Sequence, residues 1–133
     1  MKILLDTHIL LWTLLDSEEL SKRARYWIER EETEIYYSLA SLWEVQIKHM
    51  NHPGELEADA EAIEMYCREA GFRCLPINSE HVKALKTLKA PEGTGHKDPF
   101  DRIMMCQAKT ENMLFFTADR RILQYEEPCL YGV

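Results

Sequence analysis

The sequence predicts an α/β fold in which a mostly parallel sheet carries helices on both faces. Two observations lead there. Short apolar strand segments alternate with helical ones along the whole chain, the pattern of parallel strands joined by helical crossovers. Single acids also follow two of those strands, Asp6 after KILL and Asp119 just beyond MLFF. Strand ends of that kind form the reactive edge of an open parallel sheet.

Taken in order, Lys2–Leu5 reads as a short buried strand, and His8–Leu15 as a helix that is almost wholly apolar and packs inside. Ser21 can cap a second helix over Lys22–Arg30, with Ala24, Trp27 and Ile28 on its apolar side. Glu34–Tyr37 is the second strand. The helix after it opens at Ser38 or at Ser41 and places Leu42, Val45 and His49 on one side, with Trp43 and Ile47 beside them. Pro53 and Gly54 break the chain. A long acidic helix is expected over Leu56–Ala70, ended by Gly71. FRCLPI holds a third strand. A helix from Ser79 to Lys89 carries Lys83, Lys86 and Lys89. A loop over Pro91–Lys97 contains Gly93 and Gly95, which let it move as the rim of a site would. The final helix runs from Pro99 to Lys109, Met113–Phe116 is the fourth strand, Leu123 sits in a helical turn, and Cys129–Tyr131 reads as an edge strand.

The chain has 133 residues, 46% of them hydrophobic, which suits one domain spanning 1–133 with a real core. The apolar opening MKILLDTHILLWTLLD is interrupted by Asp6 and His8 and lacks a small-residue cleavage site. No stretch reaches the roughly 18 apolar residues of a membrane span, so a cytoplasmic protein is expected. Cys67, Cys74, Cys106 and Cys129 form no CxxC pair, a spacing that speaks against zinc. The net charge is −7, and residues 1–80 hold 8 Lys/Arg against 16 Asp/Glu while residues 81–133 hold 8 against 7. A protein that coats duplex DNA through its backbone is basic, so any contact with nucleic acid must be local, metal-assisted or made by an oligomer.

No GxGxxG follows Leu5, and there is neither a P-loop nor a GxSxG elbow. The chemistry is therefore left to the carboxylates. An acid in an apolar context is costly to bury, and more so beside another acid unless a cation joins them or one takes a proton. With oxygen donors only, magnesium or manganese is the natural ion. Each acid also has a plain structural reading. Asp6 precedes a helix and can cap it, although Thr7 could do so equally, and Asp119 can serve a turn. Ser41 and Glu44 have capping-box spacing, which explains Glu44 if the helix opens at Ser41 and fails if it opens at Ser38. Pro99 at the first helical position makes Asp98 the N-cap and puts Asp101 in the same turn. His96, Lys97 and Arg102 bring positive groups near these acids, and His96 taken alone reads as a surface histidine.

LLDTHILLW, SLWEVQIK, HKDPFDR ahead of IMMCQA, and FTAD, in this order and covering Lys2 to about Tyr125, resemble a PIN domain, in particular the VapC-type toxins of bacterial type II toxin–antitoxin pairs. The resemblance implies a three-layer α/β/α fold and a metal-dependent endoribonuclease. It carries the family's four acids onto Asp6, Glu44, Asp101 and Asp119, with Asp98 an additional ligand or a cap. One or two Mg²⁺ ions, or Mn²⁺, would be held chiefly by Asp6 and Asp101, with Asp119, Asp98 and Glu44 binding directly or through water. A metal-activated water would attack the phosphodiester. Thr7 would orient Asp6 or bind water, and Lys97, Arg102, Arg120 and Arg121 would touch the RNA backbone, Arg102 alternatively bracing Asp98. The resemblance also implies a homodimer that pairs with a cognate antitoxin, for which the acidic half of the chain suits a basic partner. A DNA-directed nuclease on the same fold and a binding module without catalysis are the competing readings.

Overall fold

In the computed structural model, which describes residues 1–93 and 95–133, five strands form one parallel sheet. Strands β1 (Lys2–Leu5), β2 (Glu34–Ser38), β3 (Arg73–Leu75), β4 (Leu114–Thr117) and β5 (Leu130–Gly132) lie in the order β3-β2-β1-β4-β5. All four pairings are parallel, with Leu5 opposite Tyr37 on one side and Phe116 on the other. The chain builds outward from β1 to β3, then crosses back to place β4 on β1's free side. That reversal puts a topological switch point between the C-terminal ends of β1 and β4, where open α/β sheets form their binding crevice.

The helices are α1 (Thr7–Leu14), α2 (Lys22–Ile28), α3 (Leu39–Asn51), α4 (Ala60–Ala70), α5 (Ser79–Lys83) and α6 (Pro99–Thr110). They cover both faces and give the three layers expected. Alternation along β1 sorts the core. Ile3 and Leu5 face one cluster with Ile9 and Leu10 of α1, Ala24 of α2, and Ile63 and Cys67 of α4. Leu4 faces the other with Met104, Met105 and Ala108 of α6. Among the described residues no helix is long and apolar enough to cross a membrane.

Several boundaries differ from the sequence reading for local reasons. The acidic helix begins at Ala60 instead of Leu56, because the Asp59 side chain accepts from Ala62 N at 2.9 Å and closes the helix start there. Leu56 and Ala58 then pack into the core as non-helical chain. The helix expected to reach Lys89 ends at Lys83 and continues as a 3-10 turn over Ala84–Thr87, where the Thr87 hydroxyl donates to Ala84 O at 2.6 Å. FRCLPI contributes only Arg73–Leu75 as strand. Ser38, and not Ser41, caps α3, accepting from Ala40 N at 2.9 Å. Within the loop Pro91–Lys97, Thr94 lies outside the described residues. Gly93 and Gly95 hold φ of +78° and +59°, a region that other residues enter at a cost.

Helix α6 is tied to the ends of β2 and β3 by a fully buried amide. Gln107 of α6 donates to Leu75 O at 3.1 Å and to Pro76 O at 3.3 Å, and its Oε1 accepts from Ser38 Oγ. Removing it strands three polar groups, each costing roughly 1–3 kcal/mol unless water reaches them. Gln107→Ala is expected to lower unfolding stability by about 3 kcal/mol with an unchanged denaturant slope, as measured by urea titration.

Candidate functional site

The acids singled out in the sequence stand at the switch point. Asp6 directly follows β1, is 4% exposed, and has both carboxylate oxygens occupied. Oδ1 accepts from Thr7 N at 2.8 Å as the cap of α1, and Oδ2 accepts from Thr117 Oγ1 at 2.7 Å. Capping and a site role are thus combined in one side chain. Thr117 Oγ1 also accepts from Asp119 N at 3.0 Å, so one hydroxyl fastens the ends of β1 and β4 together. Asp119 Oδ1 accepts from Arg121 N at 2.8 Å across the turn that follows β4.

Glu44 lies nearly two turns inside α3, because that helix opens at Ser38. A capping role is therefore excluded. Its Oε1 accepts from Thr7 Oγ1 at 2.8 Å, and Thr7 Oγ1 shares a second bond with Ser41 Oγ at 2.8 Å. Thr7 is buried and links the acid of β1, through its backbone N–H, to the acid of α3, through its hydroxyl. Asp98 is exposed and caps α6, with Oδ1 accepting from Phe100 N at 2.9 Å and Asp101 N at 3.2 Å. Asp101, in the first turn of α6, has a side chain only 14% exposed. Trp43 of α3 meets Phe100 edge-on, with centroids 5.1 Å apart, joining α3 to the start of α6.

The acids act on one another. Burial raises the Asp6 carboxyl above its ordinary value against the pull of the Thr117 and Thr7 hydrogen bonds, and Asp119 adds to the rise. Burial also raises Glu44, opposed by Thr7 and reinforced by Asp98 and Asp6. Asp101 is pushed up to about 8, first by burial and then by the charges of Asp6, Asp98, Glu44 and Asp119. The donor set is all oxygen, which suits a hard divalent cation. Among the described residues no three His, Cys, Asp or Glu side chains are spaced to hold one ion between them. Magnesium does not require that, because it keeps several waters and is commonly held through one or two carboxylates.

The sequence reading of His96 is corrected. It is buried, not a surface histidine, with Nε2 at 3.0 Å from Asp101 Oδ2 and Nδ1 at 2.9 Å from Tyr125 Oη. A single histidine in a glycine-containing loop gives no local sign of this, because Tyr125 lies 29 positions away. The roles of Thr117 and Ser41 were likewise missed, although a threonine ending an apolar strand two places before an aspartate offered a signal. Lys97, Arg120 and Arg121 are exposed beside Asp98 and Asp119. Arg102 makes no ion pair with Asp98 among the described residues. Only its backbone N donates to Asp98 O at 3.1 Å, and its Nε is buried without a hydrogen-bond partner.

Fold and edge together define an α/β protein with buried acids at a switch-point crevice. Residues 3–128 match the PIN domain model, and the chain belongs to the PIN domain family. No curated protein sequence matches it. Among solved structures it resembles a chain of VapBC2 from Rickettsia felis, bound to a DNA fragment from the promoter, at 12% identity and a TM-score of 0.73, covering 99% of this chain and 98% of that one. A chain of DNA-bound VapBC from Salmonella typhimurium matches at 13% identity and a TM-score of 0.66, with 99% and 98% covered. A chain of a toxin–antitoxin complex from Klebsiella pneumoniae matches at 18% and 0.61, with 98% and 99% covered. At these identities the likeness is one of fold.

The raised carboxyls fix a pH dependence. Asp101 titrates near 3.8 when unfolded and near 8 when folded, so between those values the folded chain binds more protons. Without added metal, stability is therefore highest at the acid end of that window and is lost as pH rises toward about 8. In Asp101→Asn this slope is expected to flatten, with a higher melting temperature than the unsubstituted chain at the alkaline end. Thermal melts across the window in EDTA check both points.

Proposed function

We propose that the chain is the toxin of a type II toxin–antitoxin pair, a Mg²⁺-dependent endoribonuclease (Mn²⁺ serving as well) that hydrolyses RNA phosphodiester bonds in the cytoplasm. The observation that carries this reading is the gathering of acids at the switch point, with Asp6 and Glu44 joined through Thr7 and Asp101 close enough that burial and four neighbouring acids push its carboxyl up to about 8. A site that disfavours its own negative charge has an unmet demand for a cation. Family membership supports the same reading.

Asp6 and Asp101 would hold the ion directly, and Asp119, Asp98 and Glu44 would complete its surroundings directly or through water. When bound, the ion supplies an acidified water as nucleophile and screens charge growing on the phosphoryl oxygens. The chain's own groups do the positioning. Thr117 and Thr7 fix the Asp6 carboxylate in one orientation. Thr7 turns Glu44 toward the same region, and the cap at Asp98 sets the first turn of α6 that carries Asp101. Exposed Lys97, Arg120 and Arg121, with the less exposed Arg102, would bind the RNA backbone on either side of the acids.

The cognate antitoxin has a surface to bind. Leu39, Trp43, Ile47 and Met50 of α3 are 44%, 60%, 37% and 69% exposed, an apolar stripe on the helix that also carries Glu44. A stripe of that kind accepts an amphipathic helix, and basic side chains on the partner would reach the neighbouring acids. The VapBC complexes that share the fold support such a partner, and a homodimer is proposed as the unit that meets it.

Purified chain incubated with total cellular RNA is expected to give discrete fragments with Mg²⁺ and none with EDTA. Asp6→Asn and Asp101→Asn should each lower the rate by more than about 100-fold, beyond the 10–100-fold typical of outer-shell changes at metal sites. Cutting that survives both substitutions, or that is confined to DNA, would overturn the assignment. For the partner, Trp43→Asp is expected to weaken the antitoxin complex by about 30-fold or more, the scale of a buried aromatic anchor, measured by calorimetry.

A further inference from the structure

Tyr125 and His96 form a hydrogen-bonded line that ends on Asp101. His96 is 5% exposed and Tyr125 4%. Their rings meet edge-on, with centroids 5.5 Å apart and planes at 84°. Tyr125 Oη lies 2.9 Å from His96 Nδ1 and 3.4 Å from His96 O. The direction follows from the carboxylate: an ionised Asp101 can only accept, so Nε2–H donates to its Oδ2 at 3.0 Å, and Nδ1 of the neutral ring is then the acceptor for the phenol. Burial holds the Tyr125 phenol above its ordinary value, so it remains a donor.

We infer that His96 and Tyr125 are positioning residues that hold the Asp101 carboxylate by Oδ2 and present Oδ1 to the divalent cation; this rests on the metal-site reading above. Three separate parts of the chain meet in the line: the loop before α6, the first turn of α6, and the segment after β4. Both rings are closed from solvent, and only the carboxylate at the end of the line keeps some exposure. A buried hydroxyl–imidazole–carboxylate line has little freedom to turn, because each member's orientation is set by the next. Ligating carboxylates that are hydrogen-bonded from behind keep the geometry a cation needs, and loss of such a partner typically costs 10–100-fold in metal affinity. Asp6 is held in the same manner by Thr117 Oγ1 on its own Oδ2. Each of the two acids proposed to bind the ion directly thus has one oxygen fixed by a buried donor from another part of the chain.

The test is Mg²⁺ calorimetry on folded protein, using Tyr125→Phe, His96→Ala and His96→Gln beside the unsubstituted chain and Asp101→Asn. Tyr125→Phe keeps the ring and its packing and removes only the hydroxyl. His96→Gln keeps a donor that can reach Oδ2. Tyr125→Phe and His96→Ala are expected to weaken Mg²⁺ binding by about 10-fold or more, with His96→Gln recovering part of the loss. The Mg²⁺ concentration for half-maximal RNA cleavage should rise in parallel while KM for RNA at saturating Mg²⁺ stays unchanged. Metal-free melting temperatures show that each variant is folded. If the unsubstituted chain binds Mg²⁺ and folded Tyr125→Phe and His96→Ala bind it equally well, the positioning role is wrong and the metal site stands. If the folded unsubstituted chain binds no Mg²⁺, the metal site fails and this inference falls with it.

Discussion

The constraint on which the rest depends is charge crowding at the C-terminal edge of the sheet. Asp101 is raised first by its burial and then by the charges of Asp6, Asp98, Glu44 and Asp119, which come from four different places in the chain. Burying like charges in one crevice opposes folding, so the fold must hold them there against their repulsion. It does so with fixed dipoles and buried hydroxyls. Asp6 sits at the N-terminus of α1, and Asp98 and Asp101 at that of α6, where free N–H groups and the helix dipole favour negative charge. Thr7 and Thr117 supply hydroxyl donors from the ends of the two central strands. The apolar strands beneath make those ends rigid, since Ile3, Leu4, Leu5, Phe115 and Phe116 are all fully buried.

What could be read from the sequence was whatever is local. The strand KILL ending at an acid, the proline and aspartates that open α6, and the alternation of strand and helix are each set within a few residues, and the structure places these elements as expected. Glu44 marks the limit. Its meaning turned on whether Ser38 or Ser41 caps α3, a choice made by a hydrogen bond to Ala40 N and by the burial of Ser38 against Gln107, 69 positions away. His96 was misread for the same reason, because Tyr125 and not its own neighbours buries it. The bonds that assemble the site, Thr7 to Glu44 across 37 positions and Thr117 to Asp6 across 111, leave no periodic trace. The early start assigned to α4 failed differently: an acidic, helix-favouring composition outweighed a single capping aspartate.

The charge pattern takes on meaning once the crevice is located. A net charge of −7 is a poor match for duplex DNA, and much of it is spread over a surface that a basic partner could cover. The apolar stripe of α3 and the acid Glu44 share one helix, so a partner helix seated on the stripe would lie beside the acids. Inhibition by occlusion would then need no conformational change in this chain. It requires only that one segment satisfy the apolar face and the negative crevice together, which an amphipathic basic helix does.

The most direct test of the account is the titration of the Asp101 side-chain carboxyl, followed by carbon NMR in EDTA and again in saturating Mg²⁺. The account predicts a midpoint near 8 without metal and a fall to below the ordinary aspartate range once the cation is present, because the ion's attraction for the carboxylate outweighs the burial and the neighbouring charges that raise it. A midpoint near 3.8 in EDTA, or one that Mg²⁺ leaves in place, would contradict the claim that these acids form a single site awaiting a divalent ion.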